Sequence, residues 1–208
     1  MCIRDSYCTL CGAAQAYFTD QLPEGIKRPI MRTTGLLIRS NKVMYDLETH
    51  SVFDTFLGEA VTGPLAQKNL KLKPLSVITT SWGEWKKHHP NTTTLPESLA
   101  LGRDFDFRNG RDAKGPIFPI GDVDPRLPTQ EDILGVISPS GQAVAFQKPT
   151  ALLALNDHQQ VALSGVVLKQ SAGGLIATDE NGEILPSHEA FWFAWSQFHP
   201  KSLVWTGE

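Results

Sequence analysis

The sequence lacks any cluster of basic residues. Its 208 residues include 19 Lys and Arg against 22 Asp and Glu, which gives a net charge of −3. Nucleic-acid binding depends on Lys and Arg gathered on one face, because these side chains neutralise the backbone phosphates. The composition therefore predicts that nucleic acid is not a partner of this protein.

The sequence also lacks a long hydrophobic run. A membrane-spanning helix needs roughly 20 consecutive apolar residues, and no stretch of this chain approaches that length. Hydrophobic residues make up 41% of the chain, which is ordinary for a globular protein. We therefore expect no transmembrane segment in these residues and a chain long enough to form a proper core.

Cysteine is scarce, with three in the whole chain. Cys2 lies in the opening Met1-Cys2-Ile3-Arg4-Asp5-Ser6, which is similar to the translation of a transposase-adapter sequence and lacks the apolar region of a signal peptide,. We interpret residues 1–6 as a non-native leader and expect the native protein to begin further upstream. One Cys-x-x-Cys pair, Cys8 and Cys11, then remains. Cysteine count alone leaves open a secreted disulfide and a cytosolic metal or redox pair.

The remaining pattern predicts an α+β protein that is mostly β. Short apolar and β-branched runs, separated by Gly, Pro, Asn and Asp, predict antiparallel strands in both parts of the chain. We divide it into a first repeat at residues 7–95 with the cysteine pair, a long loop at 96–130, and a second, cysteine-free repeat at 131–208.

The division into two related halves comes from a repeated helix pattern. Trp82-x-x-Trp85-x-x-x-His89-Pro90 recurs as Trp192-x-x-Trp195-x-x-x-His199-Pro200,. Ser81 and Glu84 predict a capping box at the start of the first helix, and Ser187 is predicted to cap the second. Each helix is expected to end at its His-Pro pair and to pack its tryptophans against a sheet.

The cysteine segment resembles the T-Y-C-P-L-C-G signature of an uncharacterised prokaryotic family, domain of unknown function 3179. Further segments are similar to that family, namely Gly35-Leu36-Leu37, Val43-Met44-Tyr45-Asp46 with Thr49, Gly58-Glu59-Ala60, Gly63-Pro64-Leu65 and Asp124-Pro125-Arg126-Leu127-Pro128. The sequence departs from the family at Thr9, Leu47 and Phe53, where Pro, Arg and Trp are usual. Members commonly begin with secretory or lipoprotein signals, so the resemblance implies an extracytoplasmic location. It implies no activity, because the family has none assigned.

The cysteine pair admits three kinds of chemistry. A metal site is the first, with zinc or copper held by Cys8 and Cys11. Zinc would need two further ligands, since no second cysteine pair exists. Copper(I) favours thiolates with a thioether, for which Met44 is the candidate, with His50 and Asp46 able to complete the site. Filling a gap in the core is, however, the more common role of a single Met, and it explains Met44 more simply.

The second kind of chemistry is redox or nucleophilic catalysis by Cys8 and Cys11, with Tyr45 and Asp46 as candidates for supporting or acid–base roles. The third is a structural pair in a binding or scaffold protein, with Tyr45 a strand residue and Asp46 a turn former. The sequence thus predicts an extracytoplasmic thiolate metal or redox site, with a metal ion or redox partner, against a non-catalytic alternative. Whether the protein is an enzyme stays open.

Overall fold

The computed structural model describes residues 3–94 and 114–207. Strands predominate in both segments, as the sequence predicts. The first segment contains β1 (Ile3–Cys8), β2 (Ala13–Phe18), β3 (Met31–Ile38), β4 (Asn41–Asp46), β5 (Val52–Asp54), β6 (Glu59–Thr62), α1 (Pro64–Gln67), β7 (Lys73–Leu75) and α2 (Trp82–His88). The second contains β8 (Asp132–Ile137), β9 (Ala143–Gln147), α3 (Lys148–Asn156), β10 (Ala162–Leu163), β11 (Val166–Ser171), β12 (Gly174–Thr178), β13 (Ile184–Leu185), β14 (Ser187–Phe191), α4 (Trp192–Phe198) and β15 (Leu203–Trp205).

These strands form four small sheets, with the orders β1-β2-β7, β3-β4-β5-β6, β14-β8-β9-β15 and β10-β11-β12-β13. Every strand pair is antiparallel except β15 with β9. The predicted α+β, mostly β class is therefore confirmed. None of the helices in the two described segments is long and apolar enough to cross a membrane.

The β1–β2 hairpin carries the cysteine segment. Cys8 and Ala13 are the last residue pair before the turn, and Gly12 closes the turn with a φ of 60°, a conformation that a residue without a Cβ adopts at little cost. Residues 3–6 of the predicted leader lie in β1 and pair with β2. Their foreign origin and the boundaries of the two repeats stay predictions.

Helices α2 and α4 end in the same way, as the repeat predicts. His89 and His199 cap them with nearly identical backbone angles, φ −130° and ψ 65° against φ −129° and ψ 66°. Each imidazole packs on the tryptophan one turn earlier, with ring centroids 4.0 Å apart for Trp85–His89 and 4.3 Å for Trp195–His199. The two helices are thus built on one local plan.

Their packing differs. In α4 both tryptophans are fully buried, and Trp195 lies against β8 at Gly135, where an added Cβ would come within 2.1 Å of the indole. In α2 no residue is buried, and Trp82 is 51% exposed. The expectation that the tryptophans pack in the core is confirmed for α4 and wrong for α2, because the described residues place no comparable strand on α2.

Three further expectations meet different outcomes. Ser81 caps α2 by accepting a hydrogen bond from the Glu84 N–H at 3.2 Å. Ser187, in contrast, begins strand β14 and α4 starts only after Phe191, so the second cap was predicted wrongly. Most of the predicted long loop at 96–130 lies outside the described residues, and helix α3 was not predicted at all.

Candidate functional site

Cys8 ends strand β1 and Cys11 lies three residues later in the turn. Both are free thiols, and their exposed fractions are 2% and 0%. They belong to an apolar cluster that also contains Phe56, Phe191 and Trp195. The Phe191 N–H donates to the Cys11 carbonyl at 2.9 Å, which anchors the turn to the strand that leads into α4.

Asn41, the first residue of β4, is the polar partner of this pair. Its buried side chain accepts a hydrogen bond from the Cys11 thiol, with Sγ and Oδ1 3.0 Å apart. Its Nδ2 donates to the Lys42 carbonyl at 3.1 Å and to Thr55 Oγ1 at 3.0 Å. Both ends of the amide are therefore satisfied, and the amide fixes the turn against the β3–β6 sheet.

The two thiols differ in acidity. A hydrogen bond from the Cys11 thiol lowers the pKa of Cys8 to about 6, against the opposing effect of burial, and backbone N–H groups of Lys42, Cys11 and Leu10 lower it further. Burial raises the pKa of Cys11 far above its usual range, and the hydrogen bond to Cys8 and the nearby Cys8 charge add to that rise. The two shifts run in opposite directions, so Cys8 is the more acidic thiol of the pair.

Asp46 lies at the other end of β4, about 16 Å from Asn41 at 3.3 Å per residue. Its carboxylate accepts hydrogen bonds from the Ile30 N–H at 2.7 Å and from the Thr49 N–H and hydroxyl at 2.8 and 2.7 Å. Burial alone would raise the pKa of Asp46, but these bonds outweigh it and lower the pKa. In this structure Asp46 organises the β4–β5 turn, where His50 also donates its N–H to the Asp46 carbonyl at 2.9 Å.

Met44 and Tyr45 lie between these two ends of β4. Met44 is three residues beyond Asn41, about 10 Å along the strand, and strand alternation turns its side chain to the opposite face. It lines a small gap with Ser6, Tyr17 and Phe53, none of which contributes to the thiol pair. Tyr45 pairs with Arg32 and Val52 in its sheet. The structure therefore brings Cys8 and Cys11 together but separates Met44 and Asp46 from them. The catalytic and metal roles of these residues and of Tyr45 stay predictions.

Among residues 3–94 and 114–207 no three His, Cys, Asp or Glu side chains are grouped so as to hold a metal ion. The thiol pair can offer two sulfur ligands, to which backbone N–H groups already donate. Such an arrangement suits a soft ion that accepts few ligands, and it falls short of the four ligands of a typical zinc site.

Sequence reasoning did not single out Asn41. The turn before it consists of Arg39 and Ser40, with Arg39 at a φ of 52°, and Asn41 begins the strand. Its partner Cys11 lies 30 residues away in the chain, so no local pattern connects the two. The only available signal was the position of Asn41 directly ahead of the family-like segment Val43–Asp46.

Comparison with known protein families agrees with the resemblance noted in the sequence. The family described as Protein of unknown function (DUF3179) matches residues 5–182. No curated protein and no solved structure matches the chain. Because the match covers most of its length, the chain belongs to the DUF3179 family.

Proposed function

We propose that this member of the DUF3179 family carries a redox-active dithiol, with Cys8 as the attacking thiolate and Cys11 as the resolving thiol. The observation that supports it best is the arrangement of the two free cysteines across one four-residue turn, where the neighbouring Cys11 side chain lowers the pKa of Cys8. A thiolate is the nucleophile in disulfide exchange, and a neighbouring thiol completes the exchange.

The proposed reaction is an exchange with a disulfide of a partner. The Cys8 thiolate attacks one sulfur of that disulfide, forms a mixed disulfide and releases the other sulfur as a thiolate. Cys11 then loses its proton, attacks the Cys8 sulfur and releases the second partner sulfur. The protein gains an internal disulfide and the partner disulfide is reduced to two thiols, so atoms and electrons balance. The proposal assigns Tyr45 and Asp46 no part in either step.

Burial determines which partners can react. The exposed fractions of 2% and 0% mean that a partner sulfur reaches Cys8 only when the turn that carries the two cysteines opens. Small disulfides should therefore react faster than folded proteins.

The test uses a Cys2→Ser background, so that Cys8 and Cys11 are the only thiols. Alkylation of Cys8, followed by mass spectrometry of the peptide, should show an inflection near the Cys8 pKa of about 6. In Cys11→Ala the inflection should move up toward the usual thiol range, because the hydrogen-bond donor is lost. Equilibration with oxidised and reduced glutathione should give a reversible internal disulfide. Thiols that stay reduced in excess oxidised glutathione would sink the proposal and favour a structural pair.

A copper(I) site is a second candidate, favoured by the backbone N–H groups that donate to both sulfurs. Thiolates are ligands that copper(I) prefers. Anaerobic titration of the reduced protein with copper(I) should then saturate at one ion per chain and be lost in Cys8→Ala. Retention of this binding in Met44→Leu would show that two sulfurs suffice. Binding that persists in Cys8→Ala would contradict this candidate.

We also propose an extracytoplasmic location. The support is the resemblance alone, because members of the family commonly begin with secretory or lipoprotein signals. Fractionation of cells that express the full-length natural protein tests it, and recovery in the cytoplasm would contradict it.

A further inference from the structure

A cavity of about 420 Å³ lies between the β1–β2 hairpin and the β8–β9 hairpin. This volume is within the range of small-molecule binding sites in proteins. Neither Cys8 nor Cys11 lines the cavity, so it is separate from the thiol pair. Five of its eighteen lining residues carry aromatic or imidazole rings, namely Tyr17, Phe56, His188, Trp195 and His199.

The aromatic part of this wall is tightly interlocked. Phe56 packs edge-on against His188 with ring centroids 4.9 Å apart, and Trp195 packs against the same imidazole at 5.6 Å. Tyr17 is held in place because its hydroxyl donates to the carbonyls of Thr55 and Phe56 at 2.9 and 3.1 Å. The cavity is therefore preformed, and a flat ring could stack against it at little conformational cost.

Polar atoms of two side chains in this wall have no hydrogen-bond partner. Gln15 is 3% exposed, and neither its amide nitrogen nor its amide oxygen is bonded. Nε2 of His188 also lacks a partner. A buried polar group left unsatisfied destabilises the folded protein. Two such residues at one cavity need an explanation, and a ligand that bonds to them would offset this destabilisation.

The wall carries little charge. Burial, with a smaller effect of His199, lowers the pKa of His188 to about 3. Burial, with the nearby charges of Arg39 and Lys71, lowers the pKa of His199 to about 4. Both imidazoles are thus neutral near pH 7. Lys71, the one permanently charged side chain among the lining residues, is paired with Glu59 at 2.7 Å. The wall therefore offers no unpaired charged side chain that could balance a charge on a ligand.

We infer that this cavity binds an uncharged aromatic molecule that carries both a hydrogen-bond donor and an acceptor, such as an aromatic amide. The ring would occupy the space between Phe56, Tyr17 and Trp195. The donor and acceptor would meet the Gln15 amide, which offers the complementary pair of groups. The inference does not depend on the redox proposal, because it uses none of the thiol residues.

The experiment compares three probes of similar size, namely benzamide, benzoate and toluene. Binding is followed by Trp fluorescence and by ligand-observed NMR with the whole chain in the reduced state at pH 7. We expect benzamide to bind saturably and at least about ten times more tightly than benzoate or toluene, the factor that corresponds to one hydrogen bond of about 1.4 kcal/mol. Benzoate or toluene binding as tightly as benzamide would overturn the inference, as would failure of benzamide to saturate.

The decisive variant is Gln15→Leu, which keeps the size of the side chain and removes the amide. Because neither amide atom is bonded in the protein, this change should not lower stability, and the thermal midpoint checks that it folds. Benzamide affinity should fall about tenfold while toluene affinity holds or rises. The matched control is Gln67→Leu on the exposed surface of α1, which should leave both affinities unchanged. An unaltered benzamide affinity in Gln15→Leu would refute the assignment.

Discussion

The side chain of Asn41 joins the thiol pair to the neighbouring sheet. Its oxygen accepts from Cys11 and its nitrogen donates to Lys42 and Thr55. The Thr55 hydroxyl in turn donates to the Lys42 carbonyl at 2.6 Å. Because Asn41 is 1% exposed, water cannot replace these bonds when the amide is removed.

Asn41→Ala should therefore lower the free energy of unfolding by about 1–3 kcal/mol, through lost hydrogen bonds and partners left unsatisfied. Urea denaturation of the reduced protein measures the change. The matched control is Asn156→Ala, an exposed asparagine that also holds one side-chain bond, from Gln170 at 2.7 Å. We expect the control to stay within about 0.5 kcal/mol of the parent. Equal losses in both variants would show that the Asn41 network adds no stability.

For single residues, the sequence predicts roles that depend on nearby residues well, and it predicts contacts between residues far apart in the chain poorly. The turn-forming alternative for Asp46 agrees with the hydrogen bonds of its carboxylate, whose partner Thr49 lies three residues away. The Cys8–Cys11 turn is equally local. In contrast, Asn41 and Gln15 acquire their importance from strands that only the folded chain brings near them. No spacing rule relates such residues, so they were not predicted.

Helices α2 and α4 show the same limit at the scale of elements. Their C-terminal caps depend on adjacent residues and are the same in both helices, as the repeat predicts. In both, the indole of the second tryptophan also donates a hydrogen bond to a residue seven positions later in the chain. Trp85 Nε1 donates to Thr92 at 3.0 Å, and Trp195 Nε1 donates to Ser202 at 2.7 Å. Burial depends instead on what lies above each helix, which in α4 is strand β8 and its Gly135. The repeat therefore predicts conformation and leaves packing undetermined.

This difference gives a matched pair of substitutions. Trp195→Ala should cost about 3–5 kcal/mol, the range for a fully buried large aromatic residue, because Trp195 is 1% exposed. Trp85→Ala removes the same groups from the same helical position but should cost about 1 kcal/mol or less, since α2 contributes no buried residue. Denaturant midpoints of both variants, with unchanged slopes, test this. Similar costs would mean that α2 is covered in solution as α4 is.

Strand β14 and helix α3 illustrate why the remaining elements were predicted wrongly or missed. Ser187 resembles a helix cap by residue type, but Ser187–Phe191 pairs with β8, more than fifty residues earlier, and that pairing overrides the local preference. Helix α3 has Pro149 in its first turn, which is a start signal that the sequence does contain. Tertiary pairing explains the first error, whereas the second was within reach of local rules.

At the scale of the whole molecule, ionisable groups buried where the sheets meet make stability depend on pH. His188 and His199 have pKa values lowered by burial to about 3 and about 4, so the folded state keeps them neutral. In the unfolded chain they bind protons near the usual value of about 6.5. Two buried carboxyls act in the opposite sense, because burial raises the pKa of Asp54 and of Glu189. Their protonation favours the folded state at low pH.

Between pH 7 and pH 5 the two histidines act in the same sense as Cys8, whose pKa is lowered to about 6. In that window the unfolded state binds more protons than the folded state at these sites, so the free energy of unfolding falls as the pH falls. The loss begins near the unfolded pKa of about 6.5 and amounts to about 1–2 kcal/mol for each histidine at pH 5. Urea denaturation at intervals of pH measures it.

Variants separate the histidines from the carboxyls. His188→Leu should flatten the pH dependence and His199→Gln should flatten it by a similar amount, since each removes one group that the unfolded chain protonates. The exposed His158 provides the control, and His158→Asn should leave the slope as it is. The variants are compared by how steeply the free energy of unfolding changes with pH. A change of packing that shifts this free energy equally at every pH therefore does not affect the comparison. A slope unchanged in both buried variants would mean that these imidazoles accept protons in the folded state, and the neutral wall of the cavity would then be wrong as well.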